Sequence, residues 1–163
     1  MLFLFLTVFS RGIHWREVNI IEQPSLSHAA VALVKGGPSA PALSGTVQFY
    51  DTPEGVLVSA RIDGLPSSNP TGFFAFHIHE GGSCAAPGGH FNPAGMPHPM
   101  HPGALPPLLS CGGMARMSVL TNRFRIRDIL GRTVVIHSGT DDFRSQPAGN
   151  PGEKIACGVI RPF

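Results

Sequence analysis

Ala75-Phe76-His77-Ile78-His79-Glu80 decides how this chain is read. The run is apolar and rich in strand-forming residues. Side chains alternate between the two faces of a strand, so His77 and His79 point the same way, ~7 Å apart along the backbone. Two imidazoles on one rigid face make half of a copper or zinc site. Alone, a His-x-His pair is more often structural than metal-binding, but this pair has company. His90, His98 and His101 follow in a Gly/Pro-rich segment, and His137 closes the apolar run Val134-Val135-Ile136. Six of the eight histidines therefore fall between residues 77 and 137.

The rest of the chain agrees with a β reading. Twenty glycines and sixteen prolines in 163 residues disfavour helix interiors and supply turns, which predicts an all-β fold. With 42% hydrophobic residues, the length suffices for one domain with its own core. Strands are expected at Ala29–Lys35, Gly45–Tyr50, Gly55–Ile62, the His77 run, Met114–Leu120, Phe124–Ile126, Arg132–His137 and Ile155–Arg161. Asp51-Thr52-Pro53-Glu54 joins the second and third of these as a hairpin. About eight short antiparallel strands with long connections point to a Greek-key sandwich or barrel. From Glu80 to Gly113 there is no periodicity, and a loop of that length in a small domain is usually functional. Its ligand-type residues, Cys84, His90, His98, His101 and Cys111, let metals or a disulfide replace the missing apolar core.

Charge and ends narrow the function. A net charge of +2 is too mild for a nucleic-acid partner. Arg123-Phe124-Arg125-Ile126-Arg127 alternates charged and apolar residues, as does a strand with one solvated face. Leu2 to Phe9 is apolar but too short for a spanning helix, so no membrane span is expected. Residues 1–26 are expected to stand outside the fold as an apolar leader, either a truncated export signal or a non-native leader, with the domain over 27–163. Three cysteines, Cys84, Cys111 and Cys157, allow at most one internal disulfide and leave one thiol over. A Cys84–Cys157 bridge would tie the histidine loop to the last strand.

From about residue 28 to 161 the sequence resembles the copper/zinc superoxide dismutases, most nearly the bacterial type. The resemblance rests on Ala75-Phe76-His77-Ile78-His79-Glu80-Gly81-Gly82-Ser83 and on the loop spacing that follows. Cys84 stands six before His90, His90-Phe91-Asn92-Pro93 comes next, and His98 stands eight after His90. His137 with Asp141 four later, Gly149-Asn150, and Ala156-Cys157-Gly158-Val159-Ile160 complete it.

The resemblance implies a Greek-key barrel with long metal-binding and electrostatic loops. It implies copper on His77, His79, His90 and His137, and zinc on His90, His98 and His101, with His90 bridging the two. Asp141 would tie a copper histidine to a zinc histidine, and Cys84 would pair with Cys157. Two positions depart from the pattern. Where bacterial members read His-Ala-Gly-Asp-Leu-Pro, this chain reads His101-Pro102-Gly103-Ala104-Leu105-Pro106, so Ala104 replaces the fourth zinc ligand and leaves the zinc site incomplete. Lys154 stands where the family has its active-site arginine, keeping the charge but losing the planar fork. The implied activity is dismutation of superoxide, with His90 supplying a proton and Lys154 attracting the anion. The alternative is a non-catalytic module that stores or delivers copper or zinc. An internal disulfide agrees with an extracytoplasmic location, and because family members are often dimers a homodimer is expected.

Overall fold

Alternate apolar positions in the strand-forming runs need a common interior. The computed structural model, which describes residues 6–8, 13–15 and 29–163, gives them one in a nearly closed antiparallel barrel. Strands β1 (Leu6–Val8) and β2 (Ile13–Trp15) pair as a separate ribbon. The remainder of the expected leader, residues 1–26, lies outside the described residues. The barrel consists of β3 (Ala30–Gly36), β4 (Ser44–Thr52), β5 (Gly55–Asp63), β6 (Phe73–His79), β7 (Ala104–Leu109), β8 (Ala115–Thr121), β9 (Thr133–His137) and β10 (Lys154–Pro162). Their order is β7-β6-β9-β10-β3-β4-β5-β8, the non-sequential neighbours of a Greek key. Phe49, Ile62, Phe74, Phe76, Ile78, Ile136 and Ile160 fill the interior.

Two sequence expectations are corrected. The segment Glu80–Gly113 is not loop throughout, because residues 104–109 form edge strand β7 against β6. Pro106 and Pro107 hid it, since proline cannot donate to a ladder. They are tolerated here at an edge, where the register shifts between Phe74 and Phe76. Conversely, Phe124–Ile126 is not a strand. Ile126–Ile129 forms one helical turn, α1, started by the Arg125 amide donating to Asp128 Oδ2 at 2.9 Å. Phe124, Ile126 and Ile129 are buried while Arg123, Arg125 and Arg127 are exposed, so the alternation reported burial correctly and conformation wrongly.

Strand alternation then positions the histidines. On β6, Phe74, Phe76 and Ile78 enter the core, which turns His77 and His79 to the other face beneath the loops. On β9, Val134 and Ile136 enter the core and His137 ends the strand. A register shift between Lys154 and Ala156 keeps Lys154 opposite His137 at the start of β10. The 80–103 loop is stitched down by three backbone bonds: Ile78 N to Gly103 O at 2.8 Å, Phe91 N to Ile78 O at 2.8 Å and Gly103 N to Phe91 O at 2.9 Å. Only glycine fits at 103, because a Cβ there would collide with the Ile78 carbonyl. Cys84 and Cys157 form the disulfide, with Cα atoms 5.7 Å apart, and Cys111 is an exposed free thiol.

Candidate metal centre

The structure brings His77, His79, His90 and His137 into one buried cluster and His90, His98 and His101 into a second. Within each group the candidate donor atoms lie within 4.8 Å of one another. His90 belongs to both. A β-bridge holds it beside His79, and its ring centroid lies 4.0 Å from that of His77 and 5.3 Å from that of His101.

Which nitrogen is free follows from what the other one touches. A carbonyl oxygen can only accept, so His79 Nδ1 donates to Gly88 O at 2.9 Å and His137 Nδ1 to Gly152 O at 3.2 Å. In a neutral ring the second nitrogen then carries a lone pair. The two Nε2 atoms face each other at 3.3 Å, an arrangement of two acceptors that calls for a cation between them. His77 Nε2 donates to Asp141 Oδ2 and His98 Nε2 to Asp141 Oδ1, both at 2.8 Å, which turns His77 Nδ1 and His98 Nδ1 inward. These two atoms and His90 Nε2 are buried without a hydrogen-bond partner. Three orphaned lone pairs would be costly in a core built for stability alone. The residues fit a metal pair: His77 Nδ1 with the Nε2 atoms of His79, His90 and His137 on one side, and the Nδ1 atoms of His90, His98 and His101 on the other. Four neutral imidazoles suit copper. Three imidazoles fall one short of zinc's usual four ligands, and among the described residues no carboxylate joins them.

Electrostatics keeps these rings ready. Burial pushes His79 down to about 4, His137 to about 3 and His90 to about 2, in each case with neighbouring histidine charge acting in the same direction. His101 is lowered too, first by burial and then by His98. Burial alone would raise Asp141, but hydrogen bonds from His77, the Phe143 amide and His98 outweigh it and hold the carboxyl at about 2. The ionised carboxylate fixes both ring orientations. Gly149 keeps this corner open, since a Cβ there would meet Asp141 Oδ1.

A pH dependence follows for the metal-free protein. Because the folded rings titrate below their ordinary 6.5, the unfolded chain binds more protons between 6.5 and the folded values. Their contribution is complete above about 6.5 and is lost as pH falls toward the folded values, with Asp141 adding its own loss below 3.8. The melting temperature of metal-free protein should therefore fall steadily from about pH 6.5 to about pH 4. A flat profile over that interval would contradict the burial of neutral rings.

Several supports carry no sequence signal. The Gly88 and Gly152 carbonyls that set two tautomers are backbone groups. Gln146 grips His98 by both main-chain atoms, accepting from its amide at 2.9 Å and donating to its carbonyl at 2.8 Å. The Arg132 guanidinium lies 4.3 Å from the Phe91 ring centroid and donates to Glu80 O at 3.2 Å, bracing the residues that follow His90 and His79. Ala104 begins β7 opposite His77, with its amide donating to His101 O at 3.0 Å. Exposed Lys154 lines a cavity of about 820 Å³ together with His79, His90, His101 and His137.

Known proteins share this arrangement of sequence. Residues 43–160 match the family model of copper/zinc superoxide dismutase. Copper-zinc superoxide dismutase 2 of Aquifex aeolicus is 40% identical over 137 residues, which cover 72% of this chain and 78% of the relative. The extracellular copper-zinc superoxide dismutase of Rattus norvegicus is 36% identical over 138 residues, 76% of this chain and 57% of the relative. The copper chaperone for superoxide dismutase of Sus scrofa is 35% identical over 151 residues, 81% of this chain and 52% of the relative. Copper and zinc are the cofactors of that family; the four-imidazole set fits copper, and the three-imidazole set fits zinc but for its usual fourth ligand. A match along most of the barrel at such identities decides kinship: the chain belongs to the copper/zinc superoxide dismutase family.

Proposed function

We propose that this protein converts superoxide to dioxygen and hydrogen peroxide at the His77, His79, His90 and His137 site, beside a weakened zinc site. The observation that carries the reading is the pair of Nε2 lone pairs on His79 and His137, facing each other at 3.3 Å on the wall of an open cavity. His77, His79, His90 and His137 would hold copper, which would supply a one-electron couple for the two halves of dismutation. The protein supplies the rest. His79 and His137 are held by the Gly88 and Gly152 carbonyls, so their donor atoms stay aimed while the cavity remains accessible. His90 Nε2 has no competing partner and is the group that carries a proton toward peroxide. Asp141 fixes His77 and His98 together, so the two metal positions keep their spacing.

Lys154 provides positive charge on the cavity wall, where Glu80 and Glu153 also lie. It steers the anion against those carboxylates, and steering weakens as salt screens it. Lys154→Ala should lower kcat/KM roughly threefold to tenfold at low ionic strength and much less at high ionic strength, measured by stopped-flow superoxide decay. An equal loss at both salt levels would remove Lys154 from the steering role.

The zinc position is weakened by Ala104. Restoring a carboxylate with Ala104→Asp should raise zinc affinity by at least about tenfold and lift turnover on the alkaline side, where a loosely held His90 otherwise depends on solvent for its proton. Unchanged zinc affinity, measured by competition with a chelator, would contradict this account of position 104.

A second reading, a metal carrier without turnover, is favoured by the substitutions at Ala104 and Lys154 and by the copper chaperone relative. Metal content paired with superoxide consumption separates the two. Turnover proportional to bound copper supports the enzyme, whereas one copper per chain without turnover supports the carrier. The Cys84–Cys157 disulfide and the extracellular relative support an extracytoplasmic setting, since such bridges persist in oxidising compartments.

A further inference from the structure

Met96 has no role in the scheme above, yet it lines the cavity that reaches His79, His90, His101 and His137. Among the residues lining that cavity it carries the only sulfur. It is 37% exposed, so it is not there to fill the core. Its backbone is nevertheless fixed. The Met96 amide donates to Asn92 Oδ1 at 3.0 Å, and Asn92 Nδ2 donates to the Met96 carbonyl at 2.8 Å. A long, flexible side chain is thus rooted at a backbone position fixed by Asn92 beside the cavity.

A thioether is a soft donor that selects Cu(I) and has little affinity for zinc or harder ions. Resting on the copper reading of the histidine cluster, we propose that Met96 is a capture point for Cu(I), which it receives at the cavity mouth and passes inward to the Nε2 atoms of His79, His90 and His137. The exchange breaks a copper–sulfur bond as copper–nitrogen bonds form, and no electron is transferred. The final site keeps its imidazole donors, so Met96 affects how fast copper arrives rather than how much is held. Met100, four residues on in the same loop, is 56% exposed but does not line the cavity, which makes it an internal control.

The test uses the full chain, metal-free with its disulfide intact, mixed with the coloured Cu(I)–bicinchoninate complex, and follows loss of colour. Met96→Leu keeps the bulk and removes the sulfur. It should slow Cu(I) uptake roughly tenfold while leaving final copper stoichiometry and the rate of Cu(II) uptake unchanged. Met100→Leu should match the wild type. Equal Cu(I) rates for wild type and Met96→Leu would overturn the capture role, as would a loss shared equally by Cu(I) and Cu(II), which would indicate a change of shape. If the wild type itself took up no copper, the histidine-site reading would fall and this proposal with it. Normal uptake indifferent to Met96 would sink the proposal alone.

Discussion

Replacing His90 with alanine should abolish superoxide turnover, a loss of at least about a thousandfold, and should weaken copper binding and remove zinc together. Among the described residues no other contributes to both clusters. Its Nε2 is buried and unpartnered on the copper side, while its Nδ1 stands 3.2 Å from His101 Nδ1 on the zinc side. Alanine offers neither donor, and the remaining pair of zinc-side histidines, already without a carboxylate at 104, is too few for a tetrahedral ion. His98→Ala is the informative companion. It should cost zinc and loosen Asp141, yet leave the copper donors in place, so copper content should survive with reduced turnover. Metal analysis of both variants, with stopped-flow superoxide decay, checks the pair. Wild-type copper content and turnover in His90→Ala would refute the bridging position.

Removing the Cys84–Cys157 disulfide should be the largest single loss of stability. The bridge closes a span of 73 residues, and constraining so long a loop in the unfolded chain contributes about 4 kcal/mol in the chain-entropy description. For a domain of this size the melting temperature of Cys84→Ser with Cys157→Ser should fall by on the order of 15 °C. The loss should also reach the metal centre. Cys84 lies in the connection that carries the Gly88 carbonyl, whose bond to His79 Nδ1 sets the tautomer of that ring. Copper affinity is therefore expected to drop in the double variant even at temperatures where it remains folded. Thermal melts and copper competition, run on oxidised wild type and the double variant, test both parts. Melting temperatures within about 3 °C of each other would contradict the account.

What was legible in the sequence is what strand periodicity encodes. The alternation of Phe74, Phe76 and Ile78 with His77 and His79 gave the face, the core and the first two ligands from six residues. The hairpin at Pro53-Glu54 was equally plain, and Thr52 pairs with Gly55 across it. Period-two patterns mislead where the chain makes only one turn. Arg123 to Arg127 alternates like a strand, but Ile126 and Ile129 are also three apart, and Asp128 caps the turn that buries both. Strand β7 was hidden because the two prolines that argue against a central strand are acceptable in a shifted register at an edge. The outlying histidines stand out by their clustering, but their division into two ligand sets and the part of Asp141 come through resemblance, because their convergence is a product of the barrel and not of local spacing. The Gly88 and Gly152 carbonyls that orient two rings belong to the backbone, where one residue looks like any other.

Four imidazoles meeting on one redox ion leave a spectroscopic signature. Electron paramagnetic resonance of the protein loaded with one equivalent of Cu(II) tests for it most directly, because nitrogen hyperfine structure reports the donors. Coupling to the four nitrogens of His77, His79, His90 and His137, with one coupling lost in His79→Ala, is the predicted result. A wild-type spectrum with two or fewer nitrogen donors, or one that His79→Ala leaves unchanged, would contradict it.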